Sequence, residues 1–118
     1  MTSSAADCIF CRIAARHVQA DVVAEADDLM AFRDVNPQAP THVLIIPKTH
    51  IPSLAEMTET HTTLLGRAMR FAQQTAQQCR LLPEGYRVVV NCGPQAGQSV
   101  LHFHLHVLGG RPMRWPPG

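Results

Sequence analysis

This 118-residue chain predicts an α+β fold with a mainly antiparallel sheet, and three observations carry that expectation. Two β-prone runs, Val22 to Ala26 and Leu29 to Arg33, are separated only by Asp27-Asp28, the spacing of a hairpin. "THVLIIP", Thr41 to Pro47, is the unbroken apolar run that a central strand covered on both faces requires. From about Thr60 to Leu82, apolar residues recur every three or four positions, the signature of one long amphipathic helix. Hairpin strands with segregated helices point to α+β architecture rather than to a parallel α/β sheet.

In chain order, Ile9, Phe10 and Ile13 stand at helical intervals in "CIFCRIAAR", which predicts a short helix from Cys8 ending near His17. The two hairpin strands follow, and Asn36-Pro37 and Ala39-Pro40 break the chain before the apolar strand, which Pro47 closes. Ser53 to Glu56, "SLAE", has capping-box spacing for a short helical turn. Leu64, Leu65, Ala68, Met69, Ala72, Ala76 and Cys79 carry the periodicity of the long helix, with Cys79 expected on its buried face and Pro83 and Gly85 beyond its end. "YRVVVNC" predicts a further strand, and "GPQAGQS" a loop leading into a last, histidine-bearing strand.

Length bounds the chain to one compact domain over residues 1–118, with 1–7 expected to be disordered. The formal charge of +1 and 16% charged residues provide no basic stripe for nucleic acid and no acidic solvating tail, so a small-molecule partner is expected. "MTSSAADCIF" lacks a charged n-region followed by an apolar h-region, and no run of about 18 apolar residues occurs, so the expectation is a cytoplasmic protein with no membrane partner. Four cysteines and seven histidines in such a compartment direct attention to metal or redox chemistry.

"VLHFHLHVLGG", Val100 to Gly110, is where that chemistry concentrates. Alternation along a strand sends Leu101, Phe103, Leu105 and Val107 to one face and His102, His104 and His106 to the other, about 6.5–7 Å apart. Imidazole can act as nucleophile, base, acid or metal ligand near neutral pH. Solvated strand faces ordinarily use threonine, lysine or glutamate, and ligands two residues apart rarely converge on one ion, so at most one or two of the three should bind metal.

The segment "HFHLHVLGGRPMRWPPG" resembles the His-x-His-x-His motif and C-terminal tail of the histidine-triad nucleotide-binding proteins, specifically their Hint branch. "FRDVNPQAPTHVLIIPKTH" and "GYRVVVNCGPQAGQSV" resemble the branch's other two characteristic segments, so the likeness runs from Cys8 to Gly118. The resemblance implies a five-stranded sheet with one long and one short helix, and sheets joined across a two-fold homodimer. It also implies hydrolysis of purine nucleoside 5′-phosphoramidates. His104 would attack the α-phosphorus to form a nucleotidyl-histidine, splitting one displacement into two. His42 and His106 would touch phosphate oxygens, with His102 beside them, although a lone His42 also fits a satisfied core histidine. Gly97, Gln98, Ser99 and Asn91 would contact phosphate or leaving group, Ser99 nearest the departing amine; glycine in a loop is otherwise plain turn geometry, and no P-loop pattern is present. Asp34 would hold the ribose hydroxyls, although it equally suits the turn before Asn36-Pro37. Phe10, Ile13, Phe32, Val35 and Leu44 would line an apolar slot for the base, and all five would also pass as core.

Cys8-x-x-Cys11 has only seven residues before it, too few for the strand of a thioredoxin-like unit. No second pair or local His-x-x-x-His completes a self-contained finger, so the alternatives are free apolar cysteines or a zinc site with distant ligands. Similarity to zinc-containing bacterial relatives implies the second, with His50 and His102 completing a closed structural tetrahedron and no metal required for the chemistry. A zinc-bound His102 could not shuttle protons freely. Residues 109–118, with Trp115, would form a tail reaching the partner subunit. The rival activities are dinucleoside polyphosphate hydrolysis, regulatory nucleotide binding with little turnover, and zinc-dependent hydrolysis.

Overall fold

In the computed structural model, which describes residues 5–118, five strands form one sheet. They are β1 (Val22–Glu25), β2 (Leu29–Arg33), β3 (Thr41–Pro47), β4 (Tyr86–Val89) and β5 (Leu105–Gly109), ordered β1-β2-β3-β5-β4 with every pairing antiparallel. Two helices flank it, α1 (Ile9–Ala14) and α2 (Thr62–Gln78). Single 3₁₀ turns occupy Ala5–Asp7, Leu54–Glu56, Glu59–His61 and Pro94–Ala96. Of the segment 1–7 expected to be disordered, Ala5–Asp7 forms an exposed 3₁₀ turn, and residues 1–4 lie outside the described residues.

The pleat of the sheet divides the core in two. Leu29, Ala31, Val43, Ile45, Leu105 and Val107 join α2 on one face, while Met30, Phe32, Leu44 and Ile46 join Phe10 and Ile13 of α1 on the other. The side chains of Ala68, Ala72 and Ala76, four residues apart and fully buried, form the stripe by which α2 meets the sheet. Helix α2 is shorter than its periodicity suggested because Arg80 turns left-handed at φ 58°. The N–H groups of Arg80 and Leu81 then return to the carbonyls of Gln77 and Ala76, closing a Schellman motif. Cys79 is the half-buried cap residue of that motif, packed against the core. Leu81 seats on β5, where a Cβ at Gly109 would come within 2.7 Å of its side chain.

Three further boundaries differ from expectation for local reasons. Cys8 is the N-cap of α1, its Sγ accepting the Cys11 N–H at 3.4 Å, and the left-handed Arg16 (φ 65°) ends the turn that follows. Ser53 makes no side-chain cap; only its carbonyl receives the Glu56 N–H. Strand β5 begins at Leu105 instead of running through the whole triad, and β4 stops at Val89, opposite His106, so residues 90–92 lie outside the ladder.

Since the alanine stripe leaves no room between α2 and the sheet, Ala72→Leu is expected to overpack this face and destabilise the fold by about 1–3 kcal/mol, read from urea unfolding.

Candidate active site and metal centre

Register alone brings residues distant in sequence together. Phe32 lies opposite Leu44, and Leu44 opposite His106, so a row of cleft residues crosses three strands. His42, two residues before Leu44 on the same face, becomes the diagonal neighbour of His106, and their rings meet with Nε2 2.9 Å from Nδ1.

The hydrogen bonds determine where each proton sits. The Gln38 N–H donates to His42 Nδ1 at 3.0 Å, so the neutral ring carries its proton on Nε2 and donates it to His106 Nδ1. His106 then carries its own proton on Nε2, a buried atom with no hydrogen-bond partner. His104 Nδ1 lies 2.7 Å from the His102 carbonyl oxygen, which can only accept, so the proton is on Nδ1 and the lone pair on Nε2. No protein hydrogen bond engages that Nε2 among the described residues, and the His104 and His106 rings stand 5.0 Å apart. Burial pushes the pKa of His42, His104 and His106 below the ordinary imidazole value, His106 to about 4. Nearby Asp34 works against each shift.

His102 stands with Cys8, Cys11 and His50, as expected of a metal ligand, and not beside His104 and His106 as strand alternation predicts. Its ring faces away from the other two functional imidazoles: Nε2 donates to the Pro47 carbonyl at 2.8 Å, and Nδ1 faces the cysteine pair. Only its main-chain carbonyl serves His104. The same contact explains the late start of β5. Proline has no N–H for the ladder and the Pro47 carbonyl is taken by an imidazole, so the chain pairs instead through Phe103 N–H to the Ile51 carbonyl.

A cleft of about 430 Å³ opens beside His104 and His106 and is lined by Phe10, Ile13, Phe32, Asp34, Val35, Leu44 and Ser99, all expected there. Val35 is 99% exposed and contributes only rim. Asp34 fills its anticipated turn role, Oδ1 accepting the Asn36 N–H at 2.9 Å, while Oδ2 lies 3.5 Å from His42 Nε2. Ile9, Val18, Gln19, Ala20, Arg33 and Val100 complete the lining and were not anticipated. Of these, Val18 to Ala20 lie in the link between α1 and β1, which has no periodicity to reveal a facing direction.

Asn91, Gly97 and Gln98 do not line the cleft. The Gln98 amide is spent on the loop itself, donating to the Pro52 and Val100 carbonyls and accepting the Gly93 N–H. The N–H groups of Gly97 and Gln98 are likewise committed, to the Pro94 and Gly93 carbonyls. Gly97 and Gln98 thus brace the approach to the triad, their groups spent within the protein.

Cys8, Cys11, His50 and His102 gather behind the triad, their ligand atoms all within 4.8 Å of one another. Cys8 Sγ and Cys11 Sγ stand 3.3 and 3.5 Å from His102 Nδ1, Cys11 Sγ is 3.3 Å from His50 Nδ1, and the two Nδ1 atoms are 3.3 Å apart. A zinc tetrahedron with ordinary bond lengths has S···N edges of about 3.6 Å and an N···N edge of about 3.3 Å. The cluster fits that ion closely. His102 also satisfies the outer-shell pattern of a ligating histidine, its second nitrogen tied to a backbone carbonyl. Burial, with Cys8 alongside, pushes the Cys11 thiol up to about 11, so a cation is what would make it a thiolate.

The tail leaves the sheet after Gly109, and Trp115 is 82% exposed, with the Arg87 guanidinium 6.0 Å over its ring. Among the described residues no helix is long and apolar enough to cross a membrane.

Comparison with known proteins agrees with this geometry. The HIT domain family matches residues 15–113. A 14 kDa zinc-binding protein of Zea mays is 49% identical over 112 residues, spanning 93% of this chain and 87% of its own. Adenylylsulfatase HINT1 of Arabidopsis thaliana is 44% identical over 119 residues, spanning 99% and 80%. The crystal structure of a HIT family hydrolase from Legionella pneumophila superposes with a TM-score of 0.93 at 47% identity, covering 95% of this chain and 100% of that one. With its histidines ordered on the expected sheet and its sequence matched over most of its length, the chain belongs to the histidine-triad family, in its Hint-like branch.

Proposed function

We propose that this protein is a nucleotide hydrolase that cleaves the P–N bond of purine nucleoside 5′-phosphoramidates through a nucleotidyl intermediate on His104. One observation carries the reading: an available lone pair on His104 Nε2 stands beside a buried His106 Nε2–H without a partner. An unsatisfied buried donor costs about 1–3 kcal/mol, which a phosphoryl oxygen would relieve. The His104 lone pair attacks phosphorus, the P–N bond breaks, and the departing amine takes the electron pair and a proton from Ser99 or water. The ring becomes an imidazolium whose Nδ1–H the His102 carbonyl already holds. Water then attacks phosphorus and gives up a proton to the Ser99 oxygen or hydroxide left by the first step, the P–Nε2 bond breaks with its electron pair returning to Nε2, and the nucleoside monophosphate leaves. The apolar slot from Phe10 to Leu44 holds the base by area rather than by hydrogen bonds, which suits purines with little discrimination between them. Ribose hydroxyls would reach Asp34.

The Arabidopsis relative's name favours one second reading, in which sulfate rather than an amine leaves from adenylyl sulfate; the nucleotide half and His104 would act identically. Zinc, held by Cys8, Cys11, His50 and His102, would order the scaffold and leave bond cleavage to imidazole. The maize relative's name and the tetrahedral edges support that assignment. The working unit would be a cytoplasmic two-fold dimer, with the Trp115 tail reaching the partner subunit's site.

Four outcomes test the reading. His104→Ala, folded by circular dichroism, should lose at least ~10³-fold in nucleoside monophosphate release from adenosine 5′-phosphoramidate, since nothing else on the cleft wall supplies the nucleophile. The relay from His42 to His106 works only while both rings are neutral, and burial holds both pKa values below the usual one. kcat/KM should therefore stay flat through pH 7 and fall only below pH 6.5. Thermal stability should follow the same direction: His106 binds its proton at about 4 when folded and about 6.5 when unfolded, so its contribution is present above pH 6.5 and lost as pH falls towards 4. Removal of zinc should lower Tm by about 5 °C or more while single-turnover nucleotidylation of His104 persists, measured by calorimetry and rapid quench.

A further inference from the structure

The metal cluster and the nucleotide cleft share a wall. Cys8 caps α1 and Cys11 lies in its first turn, and Phe10 between them sets its ring edge-on to His102 at 5.8 Å and to His104 at 5.1 Å. Phe10 also packs edge-on to Phe32 at 5.5 Å, and Ile9, Phe10 and Ile13 are the face that α1 presents to the cleft. A six-residue helix has almost no stability of its own, so its place depends on what ties it down. Two things do: the apolar contacts beneath it and the cluster formed with His50 and His102. The His102 residue that completes the cluster through its ring also holds the His104 Nδ1–H through its carbonyl.

We infer that metal and nucleotide bind cooperatively, with the Cys8–Cys11–His50–His102 cluster acting as the staple that fixes α1 as a cleft wall and the His102 carbonyl as the orienting acceptor of His104. This rests on the nucleotide reading above and adds regulation to it. A loaded cluster removes motion from Ile9, Phe10 and Ile13 that a bound purine would otherwise have to remove. Each ligand then lowers the ordering cost of the other, and linkage requires the two effects to be equal. Cys8, Cys11 and His50 are thus positioning residues for the nucleotide site, and zinc supply or thiol oxidation would be felt first as affinity for nucleotide.

The native protein tests this with a ligand it does not consume. AMP affinity is measured by calorimetry on zinc-loaded and chelator-stripped protein, and zinc affinity by competition with a chromophoric chelator, with and without saturating AMP. The expected result is AMP binding at least fivefold tighter to the loaded protein and a matching gain in zinc affinity when AMP is present, a coupling of ordinary size. Hydrogen exchange should rise on stripping far more in residues 9–14 and 102–104 than in α2, where it should rise only by the factor set by the fall in global stability; Phe10→Leu should shrink the affinity ratio. Equal AMP affinity in both forms would overturn the coupling while leaving the hydrolase and zinc assignments intact. A rise in residues 9–14 no greater than that in α2 would also overturn it, because zinc would then be supporting the whole domain evenly. If neither form binds AMP, or the native protein takes no zinc, the reading beneath the inference falls with it.

Discussion

The antiparallel register of β3 against β5 is the constraint on which the rest of the site depends. Leu44 faces His106 across that pairing, and from this single match follow the diagonal contact of His42 with His106 and the exit of Phe103, Leu105 and Val107 to the opposite face. A one-residue slip would exchange the two faces, burying imidazoles against α2 and turning leucine and phenylalanine into the cleft. Three devices hold the register: the apolar packing of both faces, the His102 ring on the Pro47 carbonyl, and Leu81 seated at the far end of β5. The geometry of the candidate site is a property of the ladder before it is a property of any histidine.

Protonation within the site is set by neutral backbone groups. The Gln38 N–H determines which nitrogen of His42 is bare, His42 determines His106, and the His102 carbonyl determines His104. A donor and a lone pair are thereby presented side by side without any fixed charge among the three rings, and burial keeps them neutral. Asp34 is the one carboxylate near enough to favour a transient positive charge, at 3.5 Å from His42.

Much of this was legible in the sequence, and what was not has physical causes. Alternation in "HFHLH" correctly separated the histidine face from the core face, the hairpin fell where its pattern placed it, and the long helix lies inside the span its periodicity marked. Alternation could not show that a proline without an N–H and a captured carbonyl would end the ladder at Leu105. Nor could it show that the His102 ring would turn to the cysteines while its carbonyl stayed with His104. Gln98 sits in a loop whose composition suits phosphate binding, yet its amide and the neighbouring N–H groups close the loop on itself. The four residues of the candidate metal cluster come from three separate segments, a convergence that local spacing does not encode and family likeness alone suggested. The link from Val18 to Ala20 belongs to the cleft only because α1 stands where it does.

The notch at Gly109 bears on how sequences of this fold are to be compared. Two glycines immediately after a catalytic histidine segment invite the reading that backbone is bared there for a phosphate. In this molecule the first of them lies on the opposite end of β5 from His104, and what it accommodates is the isobutyl group of Leu81. Replacement by alanine would press on the Leu81 side chain and force it to shift, without touching the cleft. An unvarying glycine at this position across relatives would record the shape of a leucine, and covariation with position 81 would reveal it.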